Sequence, residues 1–187
     1  FGMTYDPQAS GDGAIAVTVS ADEAVKIWDT RDWVERGRLV GHSGMVIAVA
    51  VSGDGRRVTT AGWDGTVRVW DARTGTPLGL SSEHRAPPRS VSFSADGRLV
   101  ASASYDRTVR VFDVAARRSD VVATLDASPT VVAFHPRRAA IAIGGDVTNE
   151  GRVAAMVART VAAYGRIDCA FNNAGVAPGA VGPGRQR

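Results

Sequence analysis

Between residues 46 and 80 the chain passes repeatedly from an apolar alternation into a polar turn. Val46 to Val51 alternates apolar with small residues, and Ser52-Gly-Asp-Gly55 then predicts a turn. Arg57 to Ala61 reads as a second strand, and Asp64-Gly65 is a tight hairpin signal. Thr66 to Trp70 follows, with Val67 and Val69 on one face, and after Thr74-Gly75 the stretch Pro77 to Leu80 completes a unit of four short strands. The next unit repeats this pattern with Val91 to Phe93, Leu99 to Ala103, Thr108 to Phe112 and Val121 to Leu125. A further unit begins with Val131 to Phe134, His135-Pro136 and Ala139 to Ile143, and breaks off where its Asp turn should come. Upstream, Thr4 to Ala9 lacks the Val-rich alternation, so the first unit reads as damaged.

The units share one period. Trp28-Asp29, Trp70-Asp71 and Phe112-Asp113 are spaced by 42 residues, as are Asp22, Asp64 and Asp106. Thr18, Thr60 and Ser102 keep that spacing, and so do the turns at Ser10, Ser52 and Ser94; His42 and His84 supply a further column. A period of about 40–45 residues with Gly-His and Trp-Asp marks β-propeller blades. Residues 1–145 resemble WD40 repeats, divided at about 1–36, 37–78, 79–120 and a partial 121–145. In that family a His, a Ser or Thr, an Asp and a Trp form a hydrogen-bonded chain inside each blade. The resemblance implies this structural role for His42, Thr60, Asp64 and Trp70 in the second repeat. It implies the same for His84, Ser102 and Asp106 in the third, where Phe112 replaces Trp and has no indole N–H to donate. The first repeat retains Thr18, Asp22 and Trp28. The fourth has Asp126 at the His column and Ile143 near the Ser column, so no such network is expected there.

The same residues argue against catalysis, because the His–Asp pattern recurs without a Ser or Cys nucleophile tied to it. Trp63 and Tyr105 immediately precede two of the network aspartates, and Met45 follows a Gly-His. These three are candidate protein-contact residues on the rim, with coverage of the blade edge as the alternative for the two aromatics. A closed propeller needs roughly four to eight blades, and about 3.5 are legible here. Open edges and faces make self-association an expectation.

From Asp146 the pattern changes. Val153, Met156, Val157, Thr160, Val161 and Tyr164 form one helical stripe, with Thr148 or Asn149 to cap it and Gly165 to end it. Ile167 to Phe171 reads as a buried parallel-type strand running into Asn172-Asn173-Ala174-Gly175. Residues 146–184 resemble the middle of a short-chain dehydrogenase/reductase. That resemblance implies an adenine contact for Asp146, and Asn172, Ala174 and Gly175 beside an NAD(P) cofactor. The chemistry is incomplete: no G-x-x-x-G-x-G occurs, and no Tyr stands four residues before Lys26, the sole lysine. The cofactor residues are therefore vestigial, and no catalytic residue, cofactor or metal is expected. The expected fold class is mainly β, an incomplete WD40-type propeller followed by a short α/β helix–strand, Rossmann-like fragment, with 185–187 as a disordered tail.

Composition narrows the function classes. The net charge is +3, carried almost wholly by arginines scattered singly through turns and strands, so no nucleic-acid partner is expected. Cys169 is alone, and this favours a reducing compartment such as the cytoplasm. No apolar run approaches the roughly 18 residues of a membrane span, and Phe1 opens no basic-then-apolar leader. Three readings follow: a non-catalytic WD40 interaction or scaffold module, a fragment or chimeric product; a remnant of an NAD(P)-dependent dehydrogenase; or an accidental fusion without function as a unit.

Overall fold

The computed structural model describes residues 4–20, 25–81, 83–135 and 141–144. The chain divides into two units, Phe1–Asp146 and Val147–Arg187, and all the described residues belong to the first. All regular structure among them is β-strand. The helix and strand read between 146 and 184, and the tail 185–187, lie outside the described residues.

Three antiparallel sheets of four strands and one of two follow one another along the chain. The first holds β1 (Thr4–Ala9), β2 (Ile15–Ser20), β3 (Val25–Asp29) and β4 (Glu35–Leu39). The second holds β5 (Val46–Val51), β6 (Arg57–Gly62), β7 (Val67–Asp71) and β8 (Pro77–Ser81). The third holds β9 (Pro88–Phe93), β10 (Leu99–Ser104), β11 (Thr108–Asp113) and β12 (Arg118–Thr124). The two-stranded sheet pairs β13 (Val131–Phe134) with β14 (Ile141–Gly144). Within each sheet the strand order is the chain order.

Two local differences from the sequence pattern have a physical reason. The segment Thr4–Ala9, unpromising as a strand, pairs antiparallel with β2 through a register break between Tyr5 and Gln8. Backbone hydrogen bonding to a strong neighbouring strand supplies what its side chains do not. Strands β9 and β12 also begin three residues before the apolar runs at Val91 and Val121, because ladder pairing continues through Pro88 to Ser90 and Arg118 to Asp120.

The turns explain why the period is strict. Ser52 accepts the Arg57 N–H (2.9 Å) and donates to Asp54 (2.6 Å), while Asp54 accepts the Arg56 N–H (3.0 Å). Ser10 with Asp12 and Ser94 with Asp96 make the same arrangement. Each turn closes through a left-handed glycine, Gly13, Gly55 and Gly97, at φ of 68°, 66° and 66°. The turn between third and fourth strands also demands a left-handed residue, but only Gly75 (φ 70°) supplies it without strain. Trp33 (φ 57°) and Arg117 (φ 53°) occupy the same column, so the tertiary frame imposes the conformation there.

Apolar residues are buried between successive sheets. Val17, Val19, Val25 and Ile27 pack with Val46, Val58 and Trp70 between the first and second sheets. Val67 and Val69, on the opposite face of β7 from Trp70, pack with Val91, Val100 and Phe112 of the third. Ala101, Ala103 and Val109 then meet Val132 and Ile141 of the two-stranded sheet. Each middle sheet is therefore apolar on both faces, and each core needs residues from two repeats. Between β9 and β13 the contact is also polar: the Val132 and Phe134 N–H groups donate to the Ser90 and Ser92 hydroxyls, each at 3.1 Å.

The Gly55 turn rests against its neighbour, since an added Cβ would stand 3.1 Å from the Ser10 Cβ. Replacing Gly55 by Ala is expected to destabilise this unit by about 1–2 kcal/mol through the left-handed penalty. Urea unfolding should show a lower midpoint with an unchanged m-value.

Candidate functional site

The second sheet contains a continuous hydrogen-bonded chain from core to rim. Trp70 donates its indole N–H to Thr60 Oγ1 (2.8 Å), and Thr60 Oγ1 lies 2.7 Å from His42 Nε2. The Asp64 carboxylate facing Nδ1 can only accept, so Nδ1 carries the ring proton, and the Thr60 hydroxyl, which accepts the indole N–H, donates to Nε2. Nδ1–H in turn donates to Asp64 Oδ2 at 2.9 Å. The Asp64 carboxylate also accepts the Ser43 N–H (3.0 Å), the Thr66 N–H (3.0 Å) and the Thr66 hydroxyl (2.7 Å). The His42 and Asp64 side chains are 3% and 6% exposed, so every one of these bonds replaces solvation lost on folding.

The third sheet repeats the chain with one member changed. His84 Nδ1 donates to Asp106 (3.0 Å), and His84 Nε2 lies 2.8 Å from Ser102 Oγ. Asp106 accepts the N–H groups of Arg85 and Thr108 (each 2.9 Å) and the Thr108 hydroxyl (2.6 Å). The Phe112 ring is buried and packs against Gly79, where an added Cβ would come within 2.9 Å of it. In the first sheet Trp28 donates to Thr18 at 2.9 Å, and Asp22 lies outside the described residues. Asp126 is exposed on the loop after β12, and Ile143 is half-buried on β14. Asp146, Asn172, Ala174 and Gly175 lie outside the described residues.

Burial and hydrogen bonding set the protonation states. Desolvation lowers both imidazoles below their ordinary 6.5, and this outweighs the aspartates that pull the other way. Burial alone would raise Asp64, but the Thr66 hydroxyl, the Ser43 and Thr66 N–H groups and His42 hold it down at about 2. The same set of donors holds Asp106 well below the carboxylate range. At neutral pH each pair is thus a neutral imidazole bonded to a carboxylate.

Ser102, His84 and Asp106 share the connectivity of a Ser–His–Asp triad. Ser102 and His84 are buried, however, and neither lines the groove described below. Burial of both groups leaves the Ser102 Oγ and the His84 ring engaged with each other and with Asp106 inside the sheet.

What the chains position is a pair of hairpins. Asp64 and Asp106 open the hairpins between second and third strands, and Trp63 and Tyr105 stand directly before them. These two aromatics are 57% and 46% exposed. The Trp63 N–H donates to the Met45 carbonyl (2.8 Å), which brings two sequence candidates together, with Met45 itself half-buried. Tyr105 is bonded through its N–H to Pro87 and through its carbonyl to Ser128. Arg89 was not legible as a site residue, yet its guanidinium lies 5.8 Å from the Tyr105 ring centroid. No local signal marks it, since the contact joins strand β9 to the hairpin after β10. Among the described residues no group of His, Cys, Asp and Glu could hold a metal ion.

With the geometry in view, comparison with known families is informative. Residues 33–71 and 75–113 match the model of the WD domain, G-beta repeat. Residues 98–184 match that of the Enoyl-(Acyl carrier protein) reductase family. Both resemblances read from the sequence, WD40 repeats and a short-chain reductase-like stretch, are thereby shown. No curated protein matches the chain. The two matches overlap at residues 98–113, where β10 and β11 pair antiparallel inside the third sheet. A dinucleotide-binding unit is built from parallel strands, so at this overlap the chain follows the repeat pattern.

The pH response follows from the histidines. Below 6.5 the unfolded chain takes up protons that the folded imidazoles refuse, so stability rises with pH across that window and falls on acidification. Urea midpoints measured from pH 7.5 down to 5 should decline, and the His42→Gln/His84→Gln variant should show a flatter profile. Asp64→Ala strands a buried imidazole and is expected to cost about 2–4 kcal/mol.

Proposed function

We propose that residues 1–145 act as a non-catalytic WD40 protein-interaction module whose partners meet the rim at Met45, Trp63 and Tyr105. The observation that carries this reading is the pairing of exposure with rigidity. Two large aromatics stand in solvent on hairpins whose next residue is locked by a buried His–Asp bond. Such anchors lose little conformational freedom on binding, which is the property of interface hot spots. Residues 146–184 are read as the remnant of an NAD(P)-dependent reductase, joined to the repeats in a chimeric or fragmentary product. The family match over 98–184 supports that ancestry, and residues 1–187 contain neither G-x-x-x-G-x-G nor Y-x-x-x-K. Sheet faces and edges left open would admit a second copy. No helix among the described residues is long and apolar enough to cross a membrane, and the lone Cys169 favours the cytoplasm.

Affinity capture from the source cells tests the rim. The full chain should retain a defined set of proteins, and Trp63→Ala/Tyr105→Ala should lose them with an unchanged melting temperature. Arg98→Ala, on the turn between first and second strands, should retain them. Equal capture by all three forms would refute the rim assignment.

The joined chain makes its own prediction. A tryptic digest of the source cells should contain the peptide Ala139 to Arg152, which crosses from repeat to reductase-like sequence. Detection of flanking peptides from both sides without it would mean that the two parts are separate proteins.

A further inference from the structure

The rim around Tyr105 is basic as well as aromatic. Arg85, Arg89 and Arg107 are all exposed there. Each is tied to the same two loops. The Arg85 N–H donates to Asp106 (2.9 Å), Arg107 follows Asp106 at a left-handed φ of 69°, and the Arg89 guanidinium lies 5.8 Å from the Tyr105 ring centroid. The Trp63 hairpin adjoins this group, since an added Cβ at Gly65 would stand 3.6 Å from the His84 carbonyl oxygen.

The acidic groups nearby are already engaged or unpaired with these cations. Asp64 and Asp106 spend their oxygens inside the buried networks, and Glu83 pairs with Arg110. Asp126, exposed on the loop after β12, has no ion pair among the described residues. Among the described residues no carboxylate pairs with Arg85, Arg89 or Arg107. Of the three, Arg89 also lines a groove of about 650 Å³ along β5, β9 and β13, with Ser90, Ser92 and Thr130.

We infer that this rim takes an acidic peptide segment, whose carboxylates meet Arg85, Arg89 and Arg107 while an apolar side chain packs on Trp63. The inference rests on the rim reading above and adds the chemistry of the partner. Unpaired guanidiniums beside an aromatic anchor suit bidentate carboxylate recognition. A single-stranded nucleic acid fits less well, because Trp63 and Tyr105 are the large aromatics exposed near these arginines among the described residues, and they do not form a row of successive stacking platforms.

The test uses the full chain on an array of random-sequence peptides whose glutamate content rises from none to half. Retention should climb with glutamate content and fall at high salt. It should drop about tenfold or more in Arg85→Ala/Arg89→Ala, where 1.4 kcal/mol corresponds to each tenfold step. Arg89→Glu should instead favour the array made with lysine in place of glutamate, a reversal that loss of folding cannot produce. Retention independent of glutamate content overturns the inference. If that retention still disappears in Trp63→Ala/Tyr105→Ala, the rim reading survives alone; if it does not, both fall. Binding of an oligo(dT) strand with the glutamate peptides unbound would make nucleic acid the partner and also overturn it.

Discussion

A buried imidazole bonded to a buried carboxylate holds each complete repeat together. His42 lies on the loop entering its sheet, Thr60 and Trp70 on the second and third strands, and Asp64 in the hairpin between them. One hydrogen-bonded path therefore ties a loop, two strands and a turn that the ladder alone would leave free to move. Isolated, either ionisable group would be too costly to bury. Together, with Thr60 below and the Ser43 and Thr66 donors above, each polar atom has a partner. The repeat has little room for variation here: an added Cβ at Gly62 would stand 2.5 Å from His42 Nδ1.

The same constraint explains the contrast between core and rim. Inside, both faces of the middle sheets are occupied, and a repeat cannot complete its core without its neighbour. Phe112 shows how far the scheme tolerates loss. It keeps the apolar volume of the column while Ser102 forgoes an indole donor, and His84 with Asp106 remains intact. At the rim the fixed backbone leaves the residue before each aspartate free to face solvent. Trp63 and Tyr105 use that freedom, and the arginines around them give the surface its sign.

The reductase family match reaches back into the third sheet. Residues 99–113 cannot be parallel and antiparallel at once, and here local pattern and neighbouring sheets agree on antiparallel. The reductase resemblance therefore has no structural expression in that overlap. Its expected helix, strand and vestigial cofactor residues all fall beyond Gly144.

Much of this was legible because the repeat writes the same information several times. The 42-residue spacing marked units of four short strands, their turns and the columns that hold His42, Thr60, Asp64 and Trp70, since side-chain alternation and turn chemistry are local properties. Tertiary structure decided the rest. It made a strand of Thr4–Ala9, whose side chains do not ask for one, by pairing it with β2. It forced Trp33 and Arg117 into a left-handed turn that only Gly75 suits. It also placed Arg89 on Tyr105 and Ser90 against β13, contacts between strands and sheets that no local pattern encodes. A sequence states which residues alternate and which can turn; which faces meet is settled only when the sheets pack.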